Sequence, residues 1–229
     1  MDREDLSMSD TRIALISATP LAIGPAAAAI GDAFPNGTVW NLLDDRLLAD
    51  AQVEGGITEP LAARMDHLID LALAGGADGV LLTCSQYGGR ADVRDTASDG
   101  VAVLSADGPL FAEAVARRPE RVLLVASLEN AASDSTERLS AAFSAAGATT
   151  DLVPLVVGAA AKPLSEDRLV EVLAEAIEQT EVAYDVIVLA QFSLAPAATA
   201  LADRFRVPVL DAPRAAARRL AAEIDGRTS

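Results

Sequence analysis

Cys84 is the single cysteine among 229 residues, and it is the residue best suited to chemistry. It stands in the run Thr83-Cys84-Ser85-Gln86-Tyr87-Gly88-Gly89, directly after an apolar stretch. A thiol just past a strand and near a helix N-terminus gains thiolate character from unpaired N–H groups and the helix dipole. As a thiolate it takes a proton or attacks a carbonyl or alkene carbon; as a thiol it gives a proton. The competing reading is a small buried hydrophobe, the usual role of a lone cysteine. No cation adjoins it, and Arg90 is the nearest in sequence. Thr19, Ser127, Gln191 and Ser193 follow other apolar runs and bring hydroxyls and an amide suited to holding an anion or an enediolate. For Gln191 and Ser193, helix capping is the alternative. Gln86 and Tyr87 are further candidates for lining the same place.

Other polar residues carry less. His67, the one histidine, falls in the helical stretch Glu59–Ala74 beside Asp66, away from any strand end. Lys162 is the only lysine and sits in the loop Ala161-Lys162-Pro163, so Schiff-base chemistry with pyridoxal phosphate is not expected. One histidine and one cysteine without clustered carboxylates give no metal site. Gly88-Gly89 reads as a turn, and Asp44-Asp45-Arg46 as a solvated turn.

The elements that must position these residues alternate. Apolar runs at Arg12–Ser17, Thr38–Leu42, Asp78–Thr83 and Val101–Leu104 read as strands. Glu59–Ala74 has helical periodicity, with Leu61, Met65, Leu68 and Leu71 or Ala72 on one face, closed by Gly75-Gly76. The scheme then recurs. Arg121–Ala126, Asp151–Leu155, Asp185–Ala190 and Val207–Leu210 read as strands, with Pro154 marking an edge or a strand end. Ala131–Ala146, Ser165–Gln179 (Ser165 as N-cap) and Pro213–Ile224 read as helices. Strands apolar throughout and separated by helices mean parallel sheets covered on both faces.

The recurrence is a sequence repeat. Arg12–Ser17 aligns with Arg121–Ala126 at an offset of 109, and Asp78–Cys84 with Asp185–Gln191 at 107. Val101–Leu104 aligns with Val207–Leu210 at 106. Three matches in one order predict a duplicated α/β protein of two pseudo-symmetric halves. Residues 1–106 with 211–229 form the half carrying Cys84. Residues 107–210 form the half carrying Gln191. Doubly wound sheets bind ligands beyond the C-terminal ends of their strands, so the expected site is a cleft between the halves.

Composition limits the partners. The net charge is −16. That argues against nucleic acid and anionic membranes, which need a basic patch. A small anion would be held by backbone N–H groups, hydroxyls and helix N-termini. Hydrophobic residues make up 51% and aromatic ones 3%, so the core is aliphatic. A lone cysteine fits a reducing compartment. The polar start Met1–Asp5 and the lack of a long apolar run predict a cytoplasmic protein with no membrane span.

The segment Gly76–Ser85, with the later Asp185–Ser193, resembles the aspartate/glutamate/hydantoin racemase superfamily. The resemblance covers nearly the whole chain. It implies two flavodoxin-like halves with the active site between them, no cofactor and no metal. It also implies a cysteine from each half working on the carbon beside a carboxylate, from opposite faces. Cys84 takes the first cysteine position, with Thr83 and Ser85 as carboxylate binders. Thr19 and Ser127 match substrate contacts after the first strand of each half. The second cysteine position holds Gln191, which has no proton to exchange near neutral pH. Racemisation through two thiols is therefore closed. Single-cysteine chemistry remains, similar in kind to arylmalonate decarboxylase and maleate isomerase. The sequence thus predicts a cofactor-independent isomerase, decarboxylase or lyase for a small carboxylate, in a chain able to form a homo-oligomer. Two alternatives stay open: a carboxylate-binding protein without catalysis, and a racemase with a non-cysteine second base.

Overall fold

Apolar runs with no polar break form strands here because helices cover both faces of each sheet, leaving no position for a solvated side chain. The computed structural model describes residues 11–95 and 100–228. The polar segment Met1–Asp5 lies outside them. The chain divides into two compact units, Met1–Ser105 with Ala216–Ser229, and Ala106–Ala215.

The first unit contains β1 (Arg12–Ser17), α1 (Ile23–Ala33), β2 (Thr38–Leu43), α2 (Leu47–Glu54), α3 (Glu59–Ala74), β3 (Gly79–Leu82), α4 (Gly88–Asp95) and β4 (Ala102–Leu104). Its strands are parallel, in the order β2-β1-β3-β4. The second unit contains α5 (Gly108–Arg117), β5 (Arg121–Ala126), α6 (Glu129–Ala145), β6 (Asp151–Val156), α7 (Glu166–Glu178), β7 (Val186–Leu189), α8 (Ala198–Phe205) and β8 (Val209–Asp211). Its order, β6-β5-β7-β8, is the same and again parallel. The last helix, α9 (Ala212–Thr228), belongs to the first unit from Ala216 onward. Ile13–Ile16 and Val80–Leu82 are fully buried, as are Val122–Ala126 and Ile187–Leu189.

This is the flavodoxin-like winding. The chain leaves β1 toward one edge and returns across it to β3, so a topological switch point lies between those two strands. The second unit has its switch point between β5 and β7. The repeat is visible in atoms as well as in strand order. The Arg12 N–H donates to Asp78 Oδ2 at 2.8 Å, and the Arg121 N–H donates to Asp185 Oδ2 at 2.8 Å. Each carboxylate ties the start of its unit's first strand to the residue leading into the third.

Several sequence expectations are corrected. The buried face of α3 is Leu61, Met65, Ile69 and Ala72, while Leu71 is exposed and Leu68 only half-buried. The apolar stripe starts correctly and then advances by four residues rather than three. Gly88-Gly89 open α4 instead of forming a turn, because the preceding 3-10 turn Ser85–Tyr87 already sets a helical path. The last strand of the second unit is Val209–Asp211, shifted from Val207–Leu210. Helices α1, α2, α4, α5 and α8 went unread. They are short, at eight to eleven residues, so each offers only two or three turns over which a periodic pattern can be read. Pro154 does mark an edge strand, β6.

Gly75, which caps α3, illustrates the tightness of the first unit. Its φ of −77° suits any residue, but an added methyl would overlap the Trp40 indole. Gly75→Ala is expected to destabilise the protein by about 1–3 kcal/mol through overpacking alone, read as a lowered thermal midpoint. An unchanged midpoint would show that the indole moves at no cost.

Candidate active site at the strand ends

In the first unit the register pairs Ile16 with Leu82. One residue further, Ser17 lies beside Thr83; a second step brings Ala18 beside Cys84. The Thr83 hydroxyl donates to Ser17 Oγ at 2.9 Å, and the Thr83 N–H donates to the Ile16 carbonyl at 3.0 Å. Both side chains are buried. The Thr83 proton is thus committed to holding the two strand ends together. Ser17, which the sequence reading did not single out, becomes visible once β1 and β3 are placed side by side.

Cys84 follows in extended conformation (φ −112°, ψ 117°), 8% exposed, at the head of the helical run Ser85–Asp95. Its carbonyl accepts from the Tyr87 N–H at 3.2 Å. Ser85 and Gln86 are half-buried, and the Gln86 Oε1 has no hydrogen-bond partner among the described residues. Tyr87 is buried and donates its hydroxyl to the Leu47 carbonyl at 3.0 Å. Burial pushes the Tyr87 phenol up to about 12, with the nearby Cys84 adding to the rise. It therefore stays neutral at physiological pH and offers no phenolate base. Thr19 caps the turn Pro20–Ala22, accepting from the Leu21 N–H at 3.4 Å.

The nearby arginines are paired. Arg90 forms a bidentate ion pair with Asp66, at 2.9 and 2.5 Å. Arg94 pairs with Asp70. Arg64 binds Asp44 and Asp50, which also places Asp44 in an ion-pair network rather than a simply solvated turn. Arg90 and Arg94 thus hold α4 against α3. His67 is exposed on α3, and Lys162 is exposed in its loop.

In the second unit the register pairs Val125 with Leu189, so Ser127 lies beside Gln191. Gln191 begins the 3-10 turn Phe192–Ala197 but does not cap it with its side chain. Its Oε1 accepts instead from the Ser127 N–H at 2.6 Å and the Ser127 hydroxyl at 2.9 Å. Ser193, half-buried, lies within the same turn. Thr83, Cys84, Ser85 and Gln86 are therefore gathered at one switch point, with Thr19 just past the adjoining strand. Ser127, Gln191 and Ser193 are gathered at the other. Among the described residues no group of three His, Cys, Asp or Glu side chains could hold a metal ion. No described helix is long and apolar enough to cross a membrane.

Two parallel α/β units of equal topology with polar switch points define the class, and the family follows from it. The Asp/Glu/hydantoin racemase family model matches residues 22–220, and the chain belongs to that family. It is accordingly an enzyme of racemase-family type, and the activity class this supports is isomerase or decarboxylase. No curated protein matches the chain. Among solved structures, the chain is similar to a Picrophilus torridus aspartate racemase, with a TM-score of 0.68 and 13% identity over 94% of each chain. It is also similar to the allantoin racemase from Klebsiella pneumoniae, with a TM-score of 0.65 and 17% identity over 95% of this chain and 89% of that one. A third likeness is to unliganded arylmalonate decarboxylase, with a TM-score of 0.57 and 18% identity over 92% of each chain. At such identities these structures share the fold with this chain.

Proposed function

We propose that the protein is a cofactor-independent isomerase, decarboxylase or other lyase acting at the carbon beside a carboxylate of a small acid. Cys84 is its sole thiol acid, base or nucleophile. The observation that supports this reading is the inequality of the two switch points, with Cys84 in one and Gln191 at the register-equivalent place in the other.

In the decarboxylase form, the bond from the α-carbon to one carboxylate breaks and carbon dioxide leaves. The bonding electrons enter an enediolate on the remaining carboxyl group. The Cys84 S–H proton passes to the α-carbon, and water reprotonates the thiolate. In the isomerase form the Cys84 thiolate removes the α-proton, the electrons of that C–H bond enter an enediolate conjugated with a neighbouring double bond, and the thiol delivers the proton to the far carbon of that system, which moves the double bond and restores the thiolate. Ser85, Gln86 and Thr19 bind the carboxylate beside Cys84, Thr83 sets the geometry through Ser17, and Ser127, Gln191 and Ser193 are the substrate-binding candidates of the second unit. An amide at position 191 cannot exchange the second proton that racemisation needs.

The test is a panel of malonates, hydroxy acids, amino acids and maleate-like diacids in deuterium oxide, with wild type and Cys84→Ala. The expected result is turnover by the wild type only, with deuterium entering a single enantiomer. Full activity in Cys84→Ala would sink the reading. Exchange with racemisation would establish a second base. Binding without turnover, seen as slowed Cys84 alkylation, would favour a carboxylate-binding protein. The same reading places the enzyme in the cytoplasm as a homo-oligomer, the latter checked by light scattering.

A further inference from the structure

A closed ring of hydrogen bonds in the first unit passes through Cys84. The Thr83 hydroxyl donates to Ser17 Oγ at 2.9 Å, and the Ser17 carbonyl accepts from the Asp44 N–H at 3.1 Å. The Asp44 carbonyl accepts from the Leu47 N–H at 3.2 Å, and the Leu47 carbonyl accepts from the Tyr87 hydroxyl at 3.0 Å. The Tyr87 N–H donates to the Cys84 carbonyl at 3.2 Å, and Cys84 is joined to Thr83 by the chain itself. Tyr87 is therefore the member that closes the ring on the cysteine. It is 1% exposed and so meets no ligand itself. Arg64, bound to Asp44 and Asp50, ties the far side of the ring to α3.

Cys84 stands at the N-cap of the helical run that Ser85 begins, and its sulfur makes no capping bond. An N-cap side chain ordinarily accepts from the second or third N–H of its helix. The third, from Tyr87, is given to the Cys84 carbonyl. The second, from Gln86, has no partner among the described residues. A thiolate at an N-cap gains from such an N–H and from the helix dipole, provided the turn is held in place against the sulfur. The bond from Tyr87 to Leu47 supplies that hold, because it ties the third residue of the turn to a separate helix, α2. We infer that Tyr87 is a positioning residue for Cys84, its hydroxyl pinning the Ser85–Tyr87 turn to α2 so that the Gln86 N–H stays within reach of the thiolate. This role rests on the proposed function, in which Cys84 is the reacting thiol, and deepens it by naming what tunes that thiol. It uses residues of the first unit alone.

Cys84 is the only cysteine, so alkylation of the full chain by iodoacetamide reports on it alone. The rate is followed from neutral pH to its alkaline plateau in wild type, Tyr87→Phe and Gly75→Ala. The Tyr87 phenol, pushed up to about 12, stays neutral throughout. Removing its hydroxyl leaves the charged groups around it, Arg64, Asp44 and Asp50, paired with one another. The ratio of the rate at pH 7 to the plateau rate cancels access to the sulfur and reads the thiolate fraction. Tyr87→Phe is expected to lower that ratio about threefold. Gly75→Ala, which lowers the thermal midpoint without touching the turn, is expected to keep the wild-type ratio. An unmoved ratio in Tyr87→Phe overturns the inference and leaves the proposed function standing. A rate raised equally at every pH does the same, since it reports only a loosened turn. An equal fall in Gly75→Ala also overturns the inference, because lost stability then accounts for both variants. A lowered ratio in Tyr87→Phe, together with full turnover by Cys84→Ala, sustains the positioning role and removes the proposed function.

Discussion

Cys84→Ser is expected to lower kcat by about 10³-fold on whichever acid the wild type turns over, with KM changed less than tenfold. Serine matches cysteine closely in size, so the strand end and the turn after it stay intact. What disappears is a group able to hold and release a proton near neutral pH, and such transfer contributes roughly 10²–10⁴-fold. The proposed substrate contacts from Ser85 and Thr19 remain, so binding is expected to be nearly unaffected. A loss confined to kcat identifies an interaction made in the transition state. Tyr87 cannot substitute, since burial pushes its phenol up to about 12 and its proton is given to the Leu47 carbonyl. A kcat within tenfold of wild type would remove Cys84 from the reaction.

The second large effect concerns stability. Arg138→Ala is expected to cost about 3 kcal/mol at pH 7 and distinctly less at pH 5. Asp107 precedes α5, is 1% exposed, and receives two bonds from Arg138 at 2.5 and 2.8 Å. The guanidinium also lies 5.6 Å from the Phe111 ring centre. Burial raises the Asp107 carboxyl to about 6, with Arg138 opposing the rise and Asp134 adding slightly to it. Because the folded-state value lies above the ordinary one, the folded state holds the proton more tightly than the unfolded chain does. That contribution to stability is full below pH ~4 and fades as pH rises through 6. Without Arg138 the carboxylate is buried and unpaired at pH 7, the costly case for an ion pair. Acid relieves it by protonation. Denaturant titrations at pH 7 and 5 check this, and Arg138→Ala with Asp107→Asn should recover most of the loss. An equal cost at both pH values would contradict the account.

The sheets were legible in the sequence because buried parallel strands are the plainest pattern a chain carries. Arg121–Ala126 is bounded as the sequence reading drew it, and Ser165 caps α7 through the Arg168 N–H. The repeat was legible for a physical reason now evident in Asp78 and Asp185, which make the same bond in both units. The strand-end places of Cys84 and Gln191 were legible because the apolar runs before them stop there. The partners of those residues were not. Ser17 meets Thr83 through strand register, which no residue type announces. Gln191 was weighed as a helix cap, yet its side chain reaches across to another strand. That distinction depends on which strands are neighbours. Asp107 stands just before α5 and Arg138 on α6, far apart in sequence, and neither lies in an apolar pattern.

The final helix also bears on how the chain is made. Leu220 is fully buried, with its side chain against Gly79 of β3, yet it emerges after the whole second unit, Ala106–Ala215, has been synthesised. Domains usually fold in order from the N-terminus during synthesis. Here the order is reversed: the contiguous second unit can complete first, and the first unit, with its cysteine, waits for α9 to leave the ribosome. The nascent chain therefore holds the bonds from Ser127 to Gln191 before the strand end that carries Cys84 is packed.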